Sequence, residues 1–496
     1  MFKTLFDLDS MPTFHELLFH YWPHIIFVVS GAASTVAALH AAMTKKDVRA
    51  ATGWVAFILF SPLFGALIYA IAGINRIHKI RVTQQRSGTS YSQDVIEHVQ
   101  VHDIVAYSAP QFSSLKTLGD HISDFRLLGC NEIHLLSGGD ETYPAMLHEI
   151  TQAKYSIALQ TYIFDHDQIG QQIAQALIDA KNRGVEVRVL IDAVGSRYSH
   201  PPIIKMLTKA GVKTDLFLRP AFGLKLVYAN LRSHRKLLVI DGVHGLTGGM
   251  NIRESFTSSV AKENVTRDTH FKVSGPIAHQ LMINFALDWQ FTTQERLSGE
   301  LWFPKKEVVD LLKDGVPLRC ILSGPDNTLG NNQKMILGAL SVAQKHVRIQ
   351  SPYFLPDQSL IAALATTARR GVVVDIVIPG ANNLKLVDAA MSAQLDQLVN
   401  TGCRLWRSTG TFDHSKLMTV DGVWCFVGSS NLDPRSLRLN FELDLEVYDQ
   451  ELATKIDQRI DGVIADAIRI TLIALNKAPF WIRLRNKIVW LASPYL

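Results

Sequence analysis

The stretch His234–Gly242, "HRKLLVIDG", decides how the rest of the chain is read. Lys236 to Ile240 is a continuous apolar run closed by Asp-Gly, which predicts a short buried strand ending in a turn. His234 and Lys236 are two residues apart, so their side chains share one face of that strand. An imidazole beside an ammonium at the mouth of an apolar strand is a place to hold an anion. A strand edge with solvated charges would look the same in isolation. The chain, however, repeats the pattern. "HSKLMTVDG", His414–Gly422, keeps His, Lys, Asp and Gly at identical spacing. "GGMN" (Gly248–Asn251) follows Asp241 at the same distance as "GSSN" (Gly428–Asn431) follows Asp421.

The repetition extends outward. "SIALQTYIF" (Ser156–Phe164) is similar to "VRIQSPYFL" (Val347–Leu355), and "ALIDAKNRGVEVRVLID" (Ala176–Asp192) to "ALATTARRGVVVDIVIP" (Ala363–Pro379). Both members of the second pair read as helix, glycine stop, apolar strand. Alternating strands and helices predict an α/β fold with mixed sheets flanked by helices. A duplication of this size predicts two similar domains, not a solenoid. The two His-Lys strands are expected to meet across a pseudo-twofold axis.

At 496 residues the chain can bury two full cores and more. A net charge of +5 gives no basic stripe for nucleic acid but suits anionic substrates or an anionic surface. Cys130, Cys320, Cys403 and Cys425 are scattered without a C-x-x-C pair, so neither a zinc site nor a disulfide framework is indicated. Cys425, in an apolar run, is expected as a buried core thiol.

The N-terminus differs. Tyr21–Met43 and Ala50–Ile74 carry no Asp, Glu, Lys or Arg, and each exceeds the roughly 20 residues needed to cross a bilayer. They predict a transmembrane helical hairpin, with Pro62 as a candidate kink. Lys45, Lys46 and Arg49 lie between them, and Arg76, Lys79, Arg81 and Arg86 follow, so the positive-inside rule divides its vote. A hairpin that does not fully cross would put both basic flanks on one side, with a cytoplasmic catalytic part. The expected organisation is a membrane segment over 1–85 (helices at about 21–43 and 50–74), a linker over 86–130, domains over 131–300 and 301–478, and an amphipathic segment over 479–496. In that last segment Trp481, Leu484, Ile488 and Leu491 recur at helical spacing, as either a membrane-surface helix or a closing helix.

The motif residues suggest their chemistry. Lysine is not a usual metal ligand, and no His, Cys or carboxylate cluster at ligand spacing surrounds the motifs, so no metal and no cofactor are expected. Lys236, Lys416, Asn251 and Asn431 can donate hydrogen bonds to phosphoryl oxygens and stabilise charge on a five-coordinate phosphorus. One imidazole can attack phosphorus while the other protonates the leaving alkoxide and then deprotonates an incoming hydroxyl. The catalytic set is therefore His234, Lys236 and Asp241 with His414, Lys416 and Asp421. Both aspartates stand a strand's length from the histidines and suit fixing the turns at Gly242 and Gly422. A nucleophilic His needs its second ring nitrogen held by an acceptor. Asp268 in "RDTHFKV" and Glu442 in "FELDLEV" are expected to orient the His of their own domains. An ion pair of Asp268 with Arg267, and a strand-capping role for Glu442, are the plainer alternatives.

The paired His-x-Lys-x-x-x-x-Asp motifs with Gly-x-x-Asn downstream resemble the phospholipase D superfamily. The duplication covers roughly Glu132 to Asp466. Within the superfamily the layout resembles the bacterial cardiolipin synthases, through "VRAATGWVAFILFSPLFGALIYAIAG", "YIFDHDQIG", "GVEVRVLIDAVGS", "GGMNI", "RDTHF", "SPYFLPD", "GSSNLDPRS" and "NFELDLEVYD". The resemblance implies phosphatidyl transfer between two phosphatidylglycerol molecules at a bacterial inner membrane, giving cardiolipin and glycerol without nucleotide or metal. It also implies a covalent phosphohistidine, on His234 by analogy with relatives, with His414 as acid and base; sequence symmetry alone does not choose. Gly249 stands where the second copy has Ser429, so Ser429 is expected to bind phosphate alone. A hydrolase of the same chemistry, a transferase using phosphatidylethanolamine, and a nuclease of the superfamily keep the same residues. A non-catalytic scaffold that binds anionic lipid predicts a decayed motif, and both motifs are intact.

Overall fold

The computed structural model describes residues 14–45, 47–74, 99–219, 231–305, 315–380 and 382–493. It divides into two units, Met1–His78 and Lys79–Leu496.

In the first unit a helix over Phe14–Thr44 is followed by helices over Val48–Phe60 and Pro62–Ile68 and a π-turn over Tyr69–Gly73. His20–Thr44 is the one helix among the described residues long and apolar enough to cross a membrane. The second expected span is broken. Pro62 has no N–H and its ring clashes with the preceding turn, so the helix stops at Ser61 after 13 residues. At 1.5 Å per residue, that piece is about 20 Å long, short of a bilayer core. The two arms hold each other through Ser34 Oγ, which donates to Pro62 O at 2.6 Å, and a 2.8 Å contact of His40 Nδ1 with Tyr69 Oη. Phe60 is 91% exposed and Phe27 78%, as suits side chains facing lipid.

The second unit is a mixed α/β structure. Its first half supplies β1 (Leu128–Ser137), β2 (Ser156–Thr161), β3 (Glu186–Asp192), β4 (Lys213–Phe217), β5 (Arg232–Ser233), β6 (Leu237–Ile240), β7 (His244–Gly248) and β8 (Thr269–Ser274). The second half supplies β9 (Val316–Ser323), β10 (His346–Gln350), β11 (Val373–Pro379), β12 (Arg404–Ser408), β13 (Leu417–Val420), β14 (Trp424–Gly428), β15 (Asn440–Tyr448) and β16 (Ile468–Ile470). The halves repeat one strand order outward from their junction: β1-β8-β7-β6-β2-β3-β4, and β9-β15-β14-β13-β10-β11-β12, with β16 added at the edge. β1 and β9 pair antiparallel, Leu128 opposite Leu318, and join both halves into one sheet with local twofold symmetry. The duplication is thus realised in the backbone. The seam is β1/β9, and not the His-Lys strands β6 and β13, which lie inside their own halves.

The helix–glycine–strand units form where they were read. Helices over Gln168–Asn182 and Gln358–Arg369 stop before Gly184 (φ +94°) and Gly371 (φ +91°), left-handed positions that glycine adopts cheaply. One face of the joined sheet is covered by helices Ile277–Thr293 and Gln450–Ala465, whose core takes residues from both halves, such as Leu237, Phe271, Leu417 and Leu445. The other face carries a separate core for each half. Residues 86–98 of the expected linker lie outside the described residues, but the rest is not a linker. Val101, Ile104, Phe112, Leu115 and Leu127 are buried in the second half's core, because the helix Phe112–Ile122 turns its apolar stripe inward. The C-terminal helix Phe480–Leu491 packs Val489 and Trp490 on that core and leaves Phe480, Trp481, Ile488 and Leu491 exposed.

Candidate active site

Each motif histidine stands just before its strand, where the chain reaches across to the other half. β5 pairs parallel with β15, Arg232 opposite Asn440, and the His234 N–H donates to Phe441 O at 2.9 Å. In the mirror arrangement Asp413 bridges Arg267, and the His414 N–H donates to Arg267 O at 2.7 Å. Each histidine therefore meets the carboxylate of the opposite half. His234 Nδ1 lies 3.1 Å from Glu442 Oε2 and from Ser429 O; His414 Nδ1 lies 2.8 Å from Asp268 Oδ2. The expectation that each carboxylate serves its own domain is corrected: the pairing is crossed. With Nδ1 donating to its carboxylate, Nε2 is the nitrogen left for chemistry.

The two carboxylates are not alike. Burial alone would raise Glu442, but His234, Lys236 and the Ser429 hydroxyl outweigh it and hold the carboxyl below its ordinary value. Ser429 Oγ donates to Oε2 at 2.6 Å and Asn440 Nδ2 to Oε1 at 3.1 Å. Asp268 is raised by burial, against the pull of Lys416 and of the Thr269 N–H that donates to it at 2.7 Å. Burial lowers both histidines, and Lys416 and Lys236 push His414 well down. Burial also lowers Lys236 to about 7 and Lys416 to about 8. Lys236 Nζ donates to His234 O at 2.6 Å; Lys416 Nζ donates to His414 O at 2.5 Å and stands 2.8 Å from its Nδ1. Burial thus disfavours the charged forms of both lysines and both histidines, and an anion entering the cleft favours them again.

Both histidines line one cleft of about 590 Å³, together with Asn251 and Asn431. Asn251 Oδ1 accepts from the Ile163 N–H at 3.1 Å, while Asn431 Oδ1 is buried without a partner among the described residues. Two lining tyrosines were not singled out in the sequence. The Tyr162 ring lies 5.4 Å from His234, with Lys236 Nζ 5.7 Å from its centre, and the Tyr353 ring lies 5.9 Å from His414. The available signal was their presence in the repeated segments "QTYIF" and "QSPYFL".

Asp241 and Asp421 do not line the cleft with the histidines but fix the motif turns, as their distance along the strand suggested. Asp241 accepts the N–H groups of Lys154, Tyr155 and Ser156 at 2.8–2.9 Å, and Asp421 those of Gln344, Lys345 and His346 at 2.8–2.9 Å. They tie the start of β2 and of β10 to the motif turn, at φ +52° and +54°. Ser429 is not a free phosphate donor, because its hydroxyl proton goes to Glu442 and its oxygen accepts the Leu443 N–H at 2.9 Å. Position 249 has no room for a hydroxyl: a Cβ there would stand 2.3 Å from Asp268 Oδ1.

A duplicated α/β sheet bringing two His-Lys motifs to one cleft defines a phospholipase D-type enzyme. Residues 146–289 and 336–464 match the family described as "Cardiolipin synthase, PLD-like domain", and 32–73 match "Phospholipase_D-nuclease N-terminal". The chain belongs to that cardiolipin synthase family of PLD-like proteins. It is 29% identical over 465 residues to the major cardiolipin synthase ClsA of Bacillus subtilis (strain 168), covering 91% of this chain and 95% of that one. It is 30% identical over 431 residues to cardiolipin synthase A of Pseudomonas fluorescens (strain SBW25), covering 86% and 88%. The crystal structure of phosphatidylserine synthase from Haemophilus influenzae Rd KW20 has the same fold, with a TM-score of 0.59 at 18% identity, over 77% of this chain and 100% of that one. The protein is a membrane-associated phosphatidyltransferase of the phospholipase D superfamily.

Proposed function

We propose that the protein makes cardiolipin from two phosphatidylglycerol molecules through a phosphohistidine. The observation that carries the reading is the crossed pair of histidines, each with Nδ1 on a buried carboxylate and both opening on one cleft beside Lys236 and Lys416. In the first step His234 Nε2 bonds to phosphorus, the bond from phosphorus to the glycerol oxygen breaks, and His414 gives that oxygen its proton. In the second, His414 takes the proton from the headgroup hydroxyl of another phosphatidylglycerol. That oxygen bonds to phosphorus and the P–N bond breaks. Lys236, Lys416, Asn251 and Asn431 hold the non-bridging oxygens. The incoming phosphate raises the nearby imidazole and ammonium pKa values, so His414 gains its proton as substrate enters. The ionised Glu442 suits the histidine that becomes cationic on bonding phosphorus, which supports His234 as nucleophile.

Access from a bilayer is supported by Leu384 at the cleft and by the exposed Phe480, Trp481 and Leu491 of the C-terminal helix. In this reading the broken second helix does not cross and returns to the side marked by Lys45 and Arg49. By the positive-inside rule that side is the cytoplasm of a bacterial inner membrane.

The test supplies detergent-solubilised protein with phosphatidylglycerol alone and follows products by mass spectrometry. Cardiolipin with equimolar glycerol is expected. Phosphatidic acid without cardiolipin would mean that water discharges the intermediate. Product only after phosphatidylethanolamine is added would change the donor.

A further inference from the structure

The duplication allows the cleft to be compared with itself. His234 and His414, Asn251 and Asn431, and Asp268 and Glu442 are equivalent positions. Arg232 lies two residues before His234, and its equivalent before His414 is Phe412. Arg435 lies four residues after Asn431, and its equivalent after Asn251 is Ser255. All four line the cleft. Arg232 pairs with Asn440 at the start of β15, and the Leu439 N–H beside it donates to Arg435 O at 2.8 Å. On the opposite wall the Arg267 N–H donates to Phe412 O at 2.9 Å, and the Thr266 N–H to Ser255 O at 2.8 Å. One wall of the cleft thus carries two guanidinium groups where its symmetry mate carries an aromatic ring and a hydroxyl.

That asymmetry needs a ligand to explain it. Burial and the neighbouring Arg232 charge lower the Arg435 pKa, the mark of two cations sharing a confined space. The third arginine of the cleft, Arg253, has its guanidinium 2.6 Å from Asp165 Oδ2, and Arg232 Nη1 donates to Leu231 O at 2.6 Å. Asp433, the equivalent of Arg253, also lines the cleft beside Arg435. Its carboxylate accepts the Ser436 N–H at 2.8 Å, and burial pushes it up to about 6. Guanidinium groups present planar forks that match phosphate oxygens. A two-step displacement at one phosphorus uses the His-Lys centre for both halves of the reaction and asks for no second cationic wall. A lipid acceptor does: it brings its own phosphodiester, unreacted, three carbons from the attacking hydroxyl. Water and free glycerol bring none.

We propose that Arg232 and Arg435 form a second phosphate site, which receives the phosphodiester of the acceptor lipid and selects it over water or glycerol. This rests on the transfer reading above.

The experiment uses the full-length protein with phosphatidylglycerol and isotopically labelled glycerol, and measures two rates. Exchange of labelled glycerol into phosphatidylglycerol makes and discharges the phosphoenzyme without a second phosphate; cardiolipin formation requires one. Arg232→Gln, Arg435→Gln and the double variant are expected to lose about tenfold or more in cardiolipin formation, the scale of a lost charge-assisted contact, while exchange stays within twofold. Arg435→Lys is expected to keep more transfer than Arg435→Gln. Exchange serves as the folding control. Equal loss of both rates would assign the arginines to structure or to the donor and overturn the proposal, as would unchanged cardiolipin formation. An unmodified protein that catalyses neither would sink the transfer reading itself, and this site with it.

Discussion

The crossed pairing of carboxylate and histidine can be tested by removing charge without volume. Glu442→Gln keeps the shape of a side chain that Ser429 and Asn440 already hold in place, but leaves His234 Nδ1 without an anion at 3.1 Å. A hydrogen bond to a buried charged group contributes about 1.5–3 kcal/mol. At 1.36 kcal/mol per factor of ten, its loss slows the step using that histidine roughly 10- to 150-fold. The assay separates the histidines with a phosphatidyl donor whose leaving group is p-nitrophenol. That group departs as phenolate and needs no general acid, so its burst reports nucleophilic attack alone. Glu442→Gln is expected to slow the burst by the stated factor. Asp268→Asn, which weakens the 2.8 Å contact to His414, is expected to leave the burst intact and slow discharge to the lipid acceptor. The reverse pattern would mean either that the carboxylates serve their own halves or that His414 is the nucleophile. His234→Ala decides between these: an undiminished burst in that variant refutes the nucleophile assignment, and an abolished one refutes the crossing.

Further outcomes follow from the same geometry. Lys236 and Lys416 are held near 7 and 8, below the ordinary lysine value, so their charges are lost as pH rises through that window. kcat/KM for glycerol exchange should fall across it, and Lys416→Arg should move the fall upward; a flat profile would refute the role of the ammonium groups. Asp241→Ala and Asp421→Ala each strand three backbone N–H groups. They should cost about 1–3 kcal/mol of stability, seen as a lower melting temperature, with turnover of the folded fraction kept. Gly249→Ser restores sequence symmetry with Ser429, yet its Cβ would press on Asp268 Oδ1 at 2.3 Å. Cardiolipin formation should drop at least about tenfold as the His414 contact is lost. A chelator should leave the rate unchanged; a loss restored by a divalent ion would overturn the lysine-based account.

The fold was legible because duplication acts on pattern. Apolar runs with glycine stops at Gly184 and Gly371 each specify a local unit, and two copies of a local unit need no tertiary information to recognise. The carboxylates Asp268 and Glu442 were legible for the same reason, since each lies at a fixed distance along its copy. Their partners were not. Whether a side chain serves its own half or the other depends on which strands form the seam, and β1/β9 pairing is set by packing far from the motif. The stretch before Phe125 failed differently. Its polar loops look like a linker, and only the stripe of Phe112 and Leu115 records that the helix between them is buried. The second membrane segment was read by composition, which cannot weigh a single proline within an uncharged stretch of 25 residues (50–74).

The departures from symmetry carry more functional information than the symmetry does. Identical motifs explain how one phosphorus can be attacked and released at a shared centre, and they would serve equally in a hydrolase. What distinguishes a transferase is that its two substrates arrive in order and are treated differently. Several differences between the halves fall near the histidines: Ser429 against Gly249, Glu442 against Asp268, Arg232 against Phe412, Arg435 against Ser255, Asp433 against Arg253. The first two set unequal carboxylates behind the two imidazoles, one below and one above its ordinary pKa. Under the proposed mechanism the lowered carboxyl suits the histidine that becomes a covalent cation, and the raised one suits the histidine that passes a proton both ways. The two arginines set a pair of cations on one wall, where the other carries Arg253 with its partner Asp165. A mutational scan confined to the motif residues would therefore recover the chemistry and miss the choice of acceptor.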